Sequence, residues 1–234
     1  MRRRERIRTL LLLAPLYFAT MVLVHELGHA TIAATLVPGD VRIYIWPGYE
    51  ILPDWGRTFP ESWPDKTIAM TYVRPQPPDM QWKFTAGVPP YAVGEGDGVE
   101  KLGYAINLSK VMGSVSTLLV SLTALALILL LKPRGLALWL LAAGALLHLD
   151  ILTGTVFPLA FDARHFYFWG SETPEALDAL TQLGISRAGT TAAIVALSLL
   201  QFGGLYYVLR VRGRPAESGT AQPEALTATG HTPR

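Results

Sequence analysis

The sequence predicts an α-helical polytopic membrane protein with about four transmembrane helices and a β-rich loop insert between the first and the second. Half of its 234 residues are hydrophobic, only 16% are charged, and the mean hydropathy is +0.31; such a composition is typical of membrane proteins. The apolar residues are also concentrated in four stretches, each long enough to cross a bilayer core, which needs about 20 residues. Between the first two stretches the chain becomes rich in proline and tryptophan, which indicates a segment of a different kind.

The sequence divides into eight predicted segments. They are a basic N-terminus (1–8), a first span (9–36), a β-rich membrane-associated loop (37–110), a second span (111–131), a third span (135–160), a loop with a short helix (161–189), a fourth span (190–211) and a disordered tail (212–234).

The first span follows an arginine-rich start, since residues 1–8 hold five Arg and one Glu. The apolar run after it is about 28 residues long, whereas the apolar core of a signal peptide is about 7–15 residues. We therefore expect a retained helix. Both termini and the basic loop 132–134 are predicted to be cytoplasmic, because the loops 37–110 and 161–189 carry more acidic than basic residues. The expected location is a multi-pass position in a membrane, taken to be the bacterial cytoplasmic membrane.

The insert shows strand and turn signals. Residues 41–46 alternate with period two and are followed by Pro47 and Gly48, which predicts a strand and a turn. Residues 67–73 and 81–85 are predicted to pair as a second hairpin, and the region 41–51 could align an extended substrate along a strand edge.

A short surface helix is predicted over residues 174–183. Thr173, Pro174 and Glu175 have the residue types of an N-cap, a first helical position and an acidic first turn, and Gly184 is a stop signal.

Charge and cysteine content restrict the partners and the metal chemistry. A net charge of +2 gives no reason to expect nucleic acid as a partner. The chain has no cysteine, so any metal must be held by histidine, carboxylate or water, and this set points to Zn²⁺.

His25 and His29 are four residues apart in the first span. On a helix they lie on one face, so both imidazoles can reach a single metal ion. Glu26 lies at the edge of that face, where the general base of H-E-x-x-H metalloenzymes activates water without binding the metal. The alternative is a structural histidine pair beside a helical charge, but such side chains inside a membrane-length apolar segment are functional by default.

Asp150 in the third span is the predicted third ligand. The first and third spans run in the same direction, and His25 and Asp150 lie about 14 to 16 residues from the cytoplasmic ends of their helices, which gives them nearly the same depth. The alternative is that Asp150 pairs with another polar group. His148 is predicted to be structural or to support the site indirectly, because two residues along a regular helix turn a side chain by about 200°.

These features resemble the site-2 protease family of intramembrane zinc metalloproteases, the M50-type peptidases. The resemblance rests on the H-E-L-G-H motif at residues 25–29, the β-rich segment beginning near Val41, the glycine-containing start of the second span at Gly113, and Asp150 in the third span.

The resemblance implies that His25, His29 and Asp150 bind Zn²⁺ and that Glu26 is the general base in hydrolysis of a peptide bond, the substrate being a membrane protein or a peptide near the lipid bilayer. In that family the zinc usually lies nearer the cytoplasmic face, whereas the charge pattern places this site nearer the outer face, so both orientations stay open. Two other functions fit the same residues: a catalytically silent zinc-binding scaffold, and a small ion transporter whose buried polar side chains line an ion path.

Overall fold

The computed structural model describes residues 3–37, 39–75, 82–85, 88–92, 97–162, 164 and 173–212. The predicted disordered tail, apart from its first residue, lies outside them. In chain order the elements are α1 (Arg3–Leu36), β1 (Gly39–Ile45), β2 (Tyr49–Leu52), β3 (Ala69–Pro75), β4 (Trp82–Thr85), β5 (Val88–Ala92), α2 (Asp97–Leu131), α3 (Gly135–Ala145), α4 (Leu149–Phe161), α5 (Glu175–Gln182) and α6 (Arg187–Arg212).

Three helical stretches in the described part of the chain are long and apolar enough to cross a membrane: Gly103–Leu131, Gly135–Phe161 and Arg187–Arg210. The architecture therefore fits a helical membrane protein, but it corrects the expectation of four spans to three. The helix α1 is 34 residues long, yet it is not among the three. Its described part contains two histidines and a glutamate within one turn, and these residues lower its hydropathy.

Two helices differ from their predicted bounds. The helix α2 begins at Asp97, inside the segment expected to be a loop, and so it extends well beyond the apolar stretch 111–131. The third predicted span is not one regular helix. It divides into α3 and α4 at residues 146–148, where the amide of Leu149 bonds the carbonyl of Leu146 and the amide of Asp150 bonds that of Leu147, each three residues back.

Backbone carbonyls at the break between α3 and α4 accept hydrogen bonds from side chains of three other helices. Tyr17 of α1 donates a hydrogen bond of 2.7 Å to the carbonyl of Leu146. Gln201 of α6 and Ser121 of α2 donate to the carbonyl of Ala145. An irregular backbone is tolerated at membrane depth where protein groups satisfy it in this way, so the break is a built feature of the bundle.

The insert forms a three-stranded antiparallel sheet with the order β2-β1-β3. The strand and turn predicted at residues 41–48 are confirmed. The predicted second hairpin is wrong: β3 pairs with β1 along its whole length, and β4 pairs with β5 instead. Since β1 is central, it offers no open edge to a substrate, and β3 is an edge strand among the described residues.

The helix α5 confirms the short helix expected over 174–183, but it is not a surface helix. Ala176, Leu177 and Ala179 are buried, and α5 packs against α2, α4 and α6. Pro174 rather than Thr173 is the N-cap residue, and Gly184 ends the helix with a φ of +85°, a conformation that glycine adopts without strain. The packing of α5 brings its first residue, Glu175, into the bundle.

Candidate metal centre

The centre lies where α1 and α2 approach each other closely. A Cβ on Gly28 would clash with the carbonyl of Met112 and with the hydroxyl of Ser116, so the two backbones are nearly in contact at this point. The Ser116 hydroxyl also donates a 2.8 Å hydrogen bond to the carbonyl of Val24. Glycine in the H-E-L-G-H motif therefore lets α2 come within reach of both histidines.

The imidazole of His29 is oriented by α2. Its Nδ1 lies 2.8 Å from the carbonyl oxygen of Ser109, and the Ser109 hydroxyl donates in return to the carbonyl of His29. A carbonyl oxygen can only accept, so Nδ1 carries the proton of this hydrogen bond. When the ring is neutral, the lone pair that can bind a metal is therefore on Nε2.

The imidazole of His25 is oriented by a buried carboxylate. Its Nδ1 lies 2.7 Å from Oδ2 of Asp150, and the hydroxyl of Thr117 donates to the same oxygen over 2.9 Å. Asp150 is only 1% exposed. A carboxylate that accepts from one ring nitrogen of a histidine and leaves the other nitrogen for the metal is the usual supporting arrangement of metal-binding histidines.

The two Nε2 atoms are directed at the same space, in front of Gly113 of α2. A Cβ on residue 113 would lie 2.8 Å from Nε2 of His25 and closer still to Nε2 of His29. The missing side chain of Gly113 thus leaves a small cradle bounded by two nitrogen donors. This cradle and its nitrogen donors fit a metal ion such as Zn²⁺.

A carboxylate that the sequence did not indicate joins the two histidines. His25, His29 and Glu175 each offer one ligand atom, and the three atoms lie within 4.8 Å of one another. Glu175 is the first residue of α5. The set of two nitrogens and one oxygen is a donor set found at zinc sites with three protein ligands, and Asp150 is not part of this group.

Glu26 is held beside the centre by the sheet. The hydroxyl of Thr71 on β3 donates to Oε2 of Glu26 over 2.7 Å and also lies 3.0 Å from its backbone carbonyl. Thr71 is paired with the buried Ile43 of β1, so both side chains lie on the same face of the sheet. Through Thr71 this face of the sheet contacts α1. Glu26 is 7% exposed, so its carboxylate is almost enclosed.

His148 lies apart from the centre, as expected of a structural histidine. It is fully buried, its Nδ1 lies 2.9 Å from the carbonyl of Ala145, and its ring contacts Phe202 edge to face. Near it, Gln201 donates to the hydroxyl of Ser121 over 2.7 Å. This second polar cluster joins α2, the α3–α4 break and α6.

The sequence motif identified His25, Glu26 and His29, but not the residues that orient them. Thr117 and Ser121 could have been noticed, because they are four residues apart in an apolar stretch and so share a helix face. Glu175 and Thr71 carried no such signal. Glu175 has the residue type that favours any helix start, and Thr71 is an ordinary strand residue.

A comparison of the chain with protein-family models, with curated proteins and with solved structures found no match.

Proposed function

We propose that this protein is a membrane-embedded zinc metalloprotease similar to the site-2 proteases, and that it hydrolyses peptide bonds of membrane proteins or membrane-proximal peptides. The observation that carries the proposal is the arrangement of His25 and His29. Each Nδ1 has a hydrogen-bond partner, and both Nε2 atoms are directed at the cradle in front of Gly113. A glutamate with a fixed carboxylate lies directly beside them in the chain.

In this proposal α1 packs against α2, one of the three candidate spans, with its H-E-L-G-H motif facing the interior. Glu26 and His29 of α1 are turned inward and are 7% and 9% exposed, while Leu16 and Leu23 are 62% and 40% exposed. An apolar outer face around a polar interior suits a lipid environment.

The residues of the centre have separate roles in this proposal. His25 and His29 would hold Zn²⁺, which would supply Lewis acidity toward the scissile carbonyl and lower the pKa of water toward neutrality. Glu26 takes the proton of the attacking water and passes it to the leaving amine. Thr71 keeps the Glu26 carboxylate in place with a donated hydrogen bond. The low exposure of Glu26 limits the access of bulk water to the site.

Strand β3, which is an edge strand within the described part of the chain, offers a way to present an extended substrate. A peptide that adds to β3 by backbone hydrogen bonds would run beside Thr71, which contacts Glu26. Peptide bonds inside a helix are closed to attack because their backbone groups are hydrogen-bonded. Pairing with β3 would stabilise the unwound segment that hydrolysis needs.

The test is the substitution Glu26→Gln in the full-length protein, purified in detergent and assayed with a library of fluorescence-quenched peptides that contain an apolar segment. We expect hydrolysis to be lost while zinc content is unchanged, because Gln keeps the size of the side chain but cannot accept the proton. Glu61→Gln, at an exposed position of the β2–β3 loop, is the matched control and should cleave like the wild type.

Two outcomes would favour the other functions. Zinc binding without hydrolysis of any peptide in the wild type would favour a zinc-binding scaffold. Zinc or proton flux into liposomes that contain the wild type, and its loss in Glu26→Gln, would favour a transporter. Cleavage by Glu26→Gln at the wild-type rate would contradict the assigned role of Glu26.

A further inference from the structure

We propose that Glu175, presented by α5, is the third protein ligand of the metal, and that Asp150 acts on the metal only through His25. This inference rests on the proposed metal centre and names its carboxylate ligand. It departs from the ligand set that the sequence indicated, in which Asp150 completes the site.

Glu175 has the required position. Its carboxylate oxygen lies within 4.8 Å of a ligand nitrogen of each of the two histidines. A tetrahedral ion with bonds of about 2.1 Å holds its donor atoms about 3.4 Å apart. The three side chains therefore need only small rotations to close on one ion, and the fourth position stays open for water or a substrate carbonyl.

Asp150 lies on the wrong side of the His25 ring. Its Oδ2 contacts Nδ1 of His25 and the hydroxyl of Thr117, whereas Nε2 of the same ring is directed at the cradle. The two nitrogens of an imidazole point away from each other, so a carboxylate oxygen bonded to Nδ1 lies roughly 6 Å from an ion bonded to Nε2. Asp150 is suited to orient His25 and to make its ring a better donor.

The helix α5 is anchored well enough to present a ligand. Leu177 and Ala179 are at most 1% exposed, and Ala179 lies one turn after Glu175 on the same helix face. At the other end, the amide of Ile185 bonds the carbonyl of Leu180 over 3.0 Å. These contacts fix the direction in which Glu175 leaves the helix.

The chain contains no cysteine, so a single introduced thiolate gives an unambiguous signal of coordination. Three variants are needed as full-length proteins: Glu175→Cys, Asp150→Cys and Asp178→Cys. Circular dichroism should show that each is folded before it is loaded with Co²⁺ in place of zinc. A thiolate bound to Co²⁺ produces a sulfur-to-cobalt charge-transfer band in the near ultraviolet. Asp178 is one turn from Glu175 on α5 and serves as the matched control.

We expect the band in Glu175→Cys and its absence in Asp150→Cys and Asp178→Cys. A band in Asp150→Cys, with or without one in Glu175→Cys, would overturn the inference. If Glu175→Cys binds Co²⁺ without the band, its thiolate, which is two bonds shorter than the carboxylate, has not reached the ion, and the Glu175→Gln variant decides the assignment.

A second measurement covers the case in which Glu175→Cys does not fold. Glu175→Gln should change the visible spectrum of bound Co²⁺, because a neutral amide replaces the anionic carboxylate ligand, whereas Asp178→Asn should leave the spectrum unchanged. An unchanged spectrum in Glu175→Gln would overturn the inference. If the wild type itself binds neither Co²⁺ nor Zn²⁺, the proposed function fails, and this outcome is distinct from a failure of the Glu175 assignment alone.

Discussion

Gly113→Ala should remove the metal from the centre while leaving the fold intact. The added Cβ would lie 2.8 Å from Nε2 of His25 and closer to Nε2 of His29, so both rings must rotate out of the cradle. Their movement breaks the contacts of His25 with Asp150 and of His29 with Ser109, at 2.7 and 2.8 Å. The clash involves side-chain ends rather than backbone, so the helices need not separate.

The expected magnitudes differ for metal binding and for stability. Loss of a residue that orients a metal ligand lowers metal affinity by about 10–100-fold. Displacement of both ligand rings should lower the affinity by more than about 100-fold, or more than about 2.8 kcal/mol of binding free energy. Alanine is favoured over glycine in a helix by up to about 1 kcal/mol. The broken hydrogen bonds of the two rings cost about 1–3 kcal/mol each, so the stability without metal should be somewhat lower than that of the wild type, with the fold retained.

Gly103→Ala is the matched control, because it lies in the same helix and its Cβ would meet no atom within 4 Å. It gains the same helix propensity without touching a histidine. The assay is zinc affinity by competition with a chromophoric chelator, together with thermal unfolding with and without zinc. Zinc affinity of Gly113→Ala within about threefold of the wild type, or an equal loss of affinity in Gly103→Ala, would show that the space in front of Gly113 is not the metal site.

Three further predictions concern the surroundings of the centre. Thr71→Val removes the hydroxyl that donates to Glu26, and it should lower kcat/KM about 10–100-fold with zinc content unchanged, since a hydrogen bond to a charged group contributes about 1.5–3 kcal/mol. Thr71→Ser keeps the hydroxyl and should retain most of the activity. Equal losses in both variants would argue against this role of Thr71. Asp150→Asn should weaken zinc binding by about 10–100-fold without abolishing it, as titration with zinc would show; complete loss at saturating zinc would mean that Asp150 is itself a ligand. In spheroplasts, a single cysteine replacing Glu61 should react with an impermeant thiol reagent from outside, and one replacing Arg134 only after permeabilisation; the reverse pattern would invert the proposed orientation.

The parts of the fold that follow from local periodicity could be predicted from the sequence. Residues four apart, such as His25 and His29, lie on one face of any α-helix. The structure confirms this, because the two rings contact each other and both lie beside Gly113. The alternation at residues 41–46 likewise predicted β1. Long apolar runs predicted the three spans that meet the length and hydropathy of a membrane helix.

The predictions are wrong where contacts between residues distant in sequence determine the structure. The break at residues 146–148 contains no proline or glycine that would predict it. The carbonyls of Ala145 and Leu146 accept hydrogen bonds from side chains that are distant in sequence, those of Tyr17, Ser121 and Gln201. The partner of β3 was misassigned because alternation does not specify which strand pairs with which.

The candidate site was half predictable for the same reason. The motif on α1 names two nitrogen donors and a base within five residues, but the carboxylates come from helices far along the chain. Asp150 was identified by its depth in an apolar stretch, and depth alone does not tell which ring nitrogen a carboxylate meets. Glu175 reaches the centre because α5 is buried on α2, and the sequence of a short amphipathic helix shows a buried face but not its partner.

Whether His25 and His29 form a metal centre can be measured as the metal content of the purified full-length protein and of two histidine variants. After equilibration with zinc and removal of the excess, we expect about one zinc ion per chain in the wild type and none in His25→Ala or His29→Ala. Each substitution removes one nitrogen donor, and the chain has no cysteine to replace it. A wild type that holds no zinc, or variants that hold as much as the wild type, would contradict the assignment of these histidines to a metal centre.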